Sequence, residues 1–76
     1  MTNVLIVDDE KIEREGLKYL LSREEGERTV FEAANGKQAL QVLRSEDIQL
    51  LLTDIKMPHM TGLELSKKAK EENPNL

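Results

Sequence analysis

Cysteine is absent from the 76 residues, which excludes disulfides, thiolate nucleophiles and Cys-based zinc sites. Tryptophan is absent too, and Tyr19 and Phe31 are the only aromatic residues, so a base-stacking platform has nothing to be built from. Basic charge is not in excess: 11 Lys and Arg stand against 15 Asp and Glu, a net charge of -4. That balance argues against non-specific nucleic-acid binding through a basic face. Long apolar runs are missing as well. The first one, Val4-Leu5-Ile6-Val7, is too short for a signal peptide or a membrane span, so a cytoplasmic chain with no membrane contact is expected. The length allows one small domain that buries only roughly 60% of its unfolded surface, so marginal stability is expected.

What is present is patterned. Leu50-Leu51-Leu52-Thr53 is an apolar run ending on Asp54, followed by a turn with Pro58 and a helical pattern after Gly62. Such a run reads as a strand buried on both faces, as in a parallel sheet covered by helices. Val4-Leu5-Ile6-Val7, closed by Asp8-Asp9-Glu10, reads the same way. Residues 29–34 form a third strand, which Glu32 places at the sheet edge. Between the strands the periodicity turns helical. From residue 11 to about 23, Ile12, Gly16, Leu17, Leu20 and Leu21 fall near one face, and Asp8 or Asp9 can cap the helix. Asn35-Gly36 reads as a turn, since both residues tolerate positive φ. A short helix then runs from residue 37 to about 45, striped by Ala39, Leu40 and Leu43, and a third from 63 to about 72, stopped by Pro74. Leu17, Leu20 and Leu40 are assigned to the core and Met57 and Met60 to loop packing, while His59, Lys11 and Lys56 face water. Alternating strands and helices call for an α/β fold with a parallel sheet and right-handed crossovers.

In such sheets ligands bind beyond the carboxyl ends of the strands. If the strands ending at Val7 and Thr53 are neighbours, then Asp8, Asp9 and Asp54 emerge at one edge. Two carboxylates about 5 Å apart repel by roughly 3 kcal/mol at an effective dielectric of about 20. Three in one crevice are tolerated with protonation, solvent or a bound cation. Carboxylates, a backbone carbonyl and waters make an oxygen shell for magnesium, and a cation there can neutralise a phosphoryl group. Taken singly, the same residues have plainer readings, Asp54 as a turn residue and Asp8 and Asp9 as helix caps.

The pairing of Val4-Leu5-Ile6-Val7-Asp8-Asp9-Glu10 with Leu51-Leu52-Thr53-Asp54-Ile55-Lys56-Met57-Pro58-His59-Met60-Thr61-Gly62 resembles the receiver domain of bacterial two-component response regulators. Ala34-Asn35-Gly36 and the strand lengths extend the resemblance over the whole chain. It implies a flavodoxin-like fold, here incomplete: a three-stranded parallel sheet of order 2-1-3 with three helices. It implies that Asp54 is the phosphoacceptor, charged by a phosphohistidine on a sensor histidine kinase. Asp8 and Asp9 would form the acidic pair holding magnesium, with Asp54 and the backbone carbonyl of Lys56 as further ligands.

On this reading residues 1–76 are a truncated receiver domain carrying its first three βα units. The family's phosphoryl-contacting hydroxyl residue and lysine, its aromatic switch residue and its usual output face belong to the second half. Phosphotransfer to this fragment is therefore expected to be impaired, and DNA is reached only through a transcriptional output domain absent here. The edge Leu50–Thr53, free of proline and charge, is expected to drive self-association, edge to edge or through the bare sheet face. The module is not expected to be an enzyme. Two other readings stand beside it. One is a structural half-domain without phosphotransfer. The other is a phosphatase of the haloacid dehalogenase type, which needs a second aspartate two residues after the first; Asp54-Ile55-Lys56 and Asp8-Asp9-Glu10 both lack it.

Overall fold

Strand β1 (Thr2–Val7) is the axis of the fold, and its neighbours are β2 (Arg28–Ala33) on one side and β3 (Leu50–Thr53) on the other. Both pairings are parallel, giving the order β2-β1-β3 in this computed structural model, which describes residues 2–76. Helices α1 (Lys11–Ser22), α2 (Gly36–Ser45) and α3 (Gly62–Glu72) follow the three strands in turn. The expected topology is therefore the observed one, with Glu32 on an edge strand as its polarity indicated.

The register assigns the faces. Leu5 lies beside Phe31 and Leu51, and Val7 beside Ala33 and Thr53. Leu5, Val7 and Ala33 pack with Ala39, Leu40, Ile48, Met57 and Leu65 in the main core, under α2 and α3. Val4 and Ile6 alternate to the opposite face and are as fully buried as Leu5 and Val7. Burying each of these side chains stabilises by about 1.5–3 kcal/mol, which is why an unbroken apolar run belongs at the centre of the sheet.

On the second face Ile6 lies beside Glu32, and Glu32 receives Arg14 at 3.4 Å and Lys18 at 3.2 Å from α1. Those ion pairs are partly solvated and contribute little. They show that α1 lies over β1 and β2, leaving the β3 leucines of that face thinly covered. Two expectations are corrected here. Strand β3 is not buried on both faces, because it is an edge strand and Leu50 is 43% exposed. Leu20 is not core either: it is 60% exposed and Ile12 85%, while Leu17 is half-buried, because among the described residues α1 is the only helix on its face. Leu40 is core as expected.

The helix starts differ from expectation in informative ways. Glu10, not Asp8 or Asp9, is the N-cap of α1, and its side chain makes no capping bond. Asn35 is extended at φ -157° and accepts the Gln38 N–H at 2.8 Å, so it caps α2 and Gly36 is already helical. Thr61 and Glu64 form a reciprocal capping box at the start of α3, with bonds of 3.1 and 3.3 Å. Met57 is buried and Met60 half-buried, as loop packing requires, while His59, Lys11 and Lys56 are exposed. After α3 the chain turns past Pro74, and Leu76 packs against the core.

Candidate functional site

The first crossover carries the chain from β1 to β2 on one side, and the second carries it from β2 back past β1 to β3 on the other. The crevice at the carboxyl ends of β1 and β3 is thus the topological switch point of the sheet, where open α/β sheets bind ligands. The ladder runs one residue beyond each strand here: Asp8 N–H donates to the Ala33 carbonyl at 3.1 Å and Asp54 N–H to the Val7 carbonyl at 3.0 Å. Those bonds fix the two aspartate backbones side by side.

Asp8 is 4% exposed. Its Oδ1 accepts the Glu10 N–H at 2.9 Å, and its carbonyl accepts Arg14 Nη1 at 2.6 Å. Asp54 is half-buried and more loosely held, its Oδ1 accepting the Lys56 N–H at 3.3 Å. Its main chain is firmly placed. Thr53 Oγ1 donates to the Asp54 carbonyl at 3.0 Å, and the Gly62 N–H closes the loop onto the Ile55 carbonyl at 2.8 Å. A Cβ at position 62 would press on the Asp54 carbonyl, so only glycine lets α3 begin this close to the aspartate. His59 adopts a left-handed φ of 68° at the tip of the same loop.

Carboxylate oxygens of Asp8, Glu13 and Asp54 all lie within 4.8 Å of one another. The structure therefore brings together two of the anticipated residues and adds Glu13. Asp9 is exposed and stands outside that cluster; it lines an adjoining cleft of about 400 Å³ with Asn35, Lys37, Pro58, His59 and Met60. Lys56 is exposed and contributes its N–H to the turn around Asp54. The crowding has a cost that one member bears: Glu13 is pushed up from 4.5 to about 7, first by its hydrogen bond with Asp8 and then by the charges of Asp8, Glu10 and Asp54. The only sequence signal for Glu13 was its place in the first turn of α1, directly after the acidic exit of β1.

The profile of the response regulator receiver domain family matches residues 4–76. The chain belongs to that family. This receiver chain is 41% identical over 73 residues to the transcriptional regulatory protein YdfI of Bacillus subtilis, covering 96% of the chain and 34% of the relative. It superposes with a TM-score of 0.89 and 35% identity on the response regulator protein TrrA of Thermotoga maritima in complex with Mg(2+)-BeF, covering 97% of this chain and 63% of that one. A structure of histidine kinase ThkA in complex with TrrA matches at a TM-score of 0.83 and 36% identity, over 99% of this chain and 63% of that one. The chain thus spans about a third of the length of the curated relative it matches. Receiver domains are regulatory phosphoacceptor modules of two-component signalling, and the phosphatase reading is withdrawn on that ground. The fold is an incomplete flavodoxin-like receiver fold. Among the described residues no helix is long and apolar enough to cross a membrane.

Proposed function

We propose that Asp54 accepts a phosphoryl group from a phosphohistidine of a sensor histidine kinase, in a pocket where Asp8, Asp9, Asp54 and the Lys56 carbonyl hold magnesium. The observation that carries this reading is the meeting of the Asp54 and Asp8 carboxylates at the carboxyl ends of adjacent strands in a receiver chain. The donor set fits the ion. It is all hard oxygen, and the Asp8 and Asp54 carboxylate oxygens lie within 4.8 Å of each other, while opposite ligands of an octahedral magnesium lie about 4.2 Å apart, a difference within side-chain adjustment. When bound, magnesium offsets the negative charge that carboxylates and phosphoryl oxygens bring together.

The chain's own residues do the rest. An Asp54 carboxylate oxygen bonds to phosphorus as the phosphorus–nitrogen bond to the histidine breaks, its electron pair returning to the imidazole. Asp54 enters that step with a fixed main chain and a lightly bonded carboxylate, which is what a nucleophile requires. Asp8 is held by Glu10 and Arg14 and cannot swing away from the crevice.

Residues 1–76 act on this reading as the first three βα units of a cytoplasmic receiver, coupled to a transcriptional output domain through which DNA is bound. The family's hydroxyl and lysine donors are not among these residues. One preorganised donor is worth about 10²–10³ in rate, so transfer to the 76-residue chain is slow. The free edge of β3 and its half-covered leucines also favour self-association. Incubation with a phosphorylated sensor kinase, followed by intact mass, tests the assignment. Wild type slowly gains one phosphoryl group and Asp54→Asn gains none. Equal labelling of the variant overturns the assignment, and no labelling of wild type at long times favours the structural half-domain.

A further inference from the structure

We infer that Glu13 is a further residue of the cation pocket, supplying an additional anionic oxygen from α1 that strengthens the hold on a divalent ion. The inference rests on the pocket proposed above and adds a residue to it. Three observations support it. Glu13 reaches within 4.8 Å of both Asp8 and Asp54, whereas Asp9 lies outside that group. Its helical turn is clamped to the pocket on both sides: the Glu10 N–H bonds Asp8 Oδ1 at 2.9 Å, and Arg14 Nη1 bonds the Asp8 carbonyl at 2.6 Å. The backbone that carries Glu13 is therefore fixed relative to Asp8.

The third observation concerns charge. Among the described residues Glu13 takes part in none of the ion pairs, while its neighbours on α1 are paired: Arg14 and Lys18 with Glu32, and Glu15 with Lys18 at 3.7 Å. A carboxylate aimed at two others and lacking any cation is the arrangement that a divalent ion relieves. Asp8 is deeply buried while Glu13 is exposed, so Glu13 closes the pocket from its solvent side.

Binding of Mn2+, used as the probe because it relaxes water protons, tests this on the 76-residue chain. Glu13→Gln keeps the shape and removes the charge. It is expected to weaken Mn2+ by about 10–100-fold, the range typical of residues that support a metal's ligands. Glu15→Gln makes the same change of net charge on the same helix, away from the pocket, and is expected to change affinity by about twofold at most. Magnesium competition should reproduce the order. Equal losses in the two variants overturn the role of Glu13, as does full affinity in Glu13→Gln. Loss of binding in Asp8→Asn and Asp54→Asn, with Glu13→Gln unaffected, leaves the pocket standing and removes only Glu13 from it. Absence of saturable Mn2+ binding in wild type overturns both.

Discussion

Gly62→Ala probes how closely the β3–α3 loop is folded over Asp54. A methyl group at position 62 meets the carbonyl carbon and oxygen of Asp54 and the Cα of Ile55. All three are backbone atoms, so no rotamer change can make room and the loop itself must shift. Alanine in place of glycine in a helix gains about 0.5–1 kcal/mol, while overpacking of this kind costs about 1–3 kcal/mol. The balance is a loss of up to about 2.5 kcal/mol, with a fall in melting temperature of about 4–8 °C for each kcal/mol in a domain of this size. Thermal unfolding followed by far-UV circular dichroism measures it. Gly16→Ala is the internal control, because that glycine lies within α1 and a Cβ there meets nothing within 4 Å. It should stabilise by about 0.5–1 kcal/mol. The reasoning is refuted if Gly62→Ala melts with wild type and leaves the amide resonances of Asp54 and Ile55 where they were.

Two further outcomes are expected. Glu13 is raised from 4.5 to about 7 chiefly by its hydrogen bond with Asp8, so the folded metal-free protein holds that proton more tightly than the unfolded chain. The stability this contributes is complete below pH 4.5 and lost as pH rises through about 7. Glu13→Gln should flatten that part of the melting-temperature profile, and a slope identical to wild type would contradict the cause assigned to it. Self-association through the β3 edge should be visible as sedimentation above monomer mass at micromolar concentration, reversed by Leu50→Lys. Leu50 is the suitable position because it is 43% exposed, whereas Leu51 packs against the core. A folded wild-type monomer would end that proposal.

The sheet was legible because apolar runs of four residues closed by acids have few other uses, and because strand–helix alternation with right-handed crossovers leaves few topologies. Asp8 and Asp54 followed from the same logic, since the residue after a parallel strand is delivered to the crevice. What was illegible depended on neighbours far along the chain. The α1 stripe of Ile12, Leu17 and Leu20 was visible, but how much of it is covered depends on what else lies on that face. Asn35 suits a left-handed turn and a helix cap equally, and only the Gln38 N–H decides for the cap. Glu13 was passed over because helical periodicity placed it on the polar side of α1. Which polar residue looks into the crevice is set by the packing of α1 on β1 and by the Arg14 bond to the Asp8 carbonyl.

A titration with magnesium followed by amide NMR tests most directly whether these carboxylates form one pocket. The expected result is saturable, fast-exchange shifts concentrated at Asp8, Asp9, Glu13, Asp54 and Lys56, all lost in Asp54→Asn. Small shifts spread evenly over the acidic surface, unchanged by that substitution, would contradict the account.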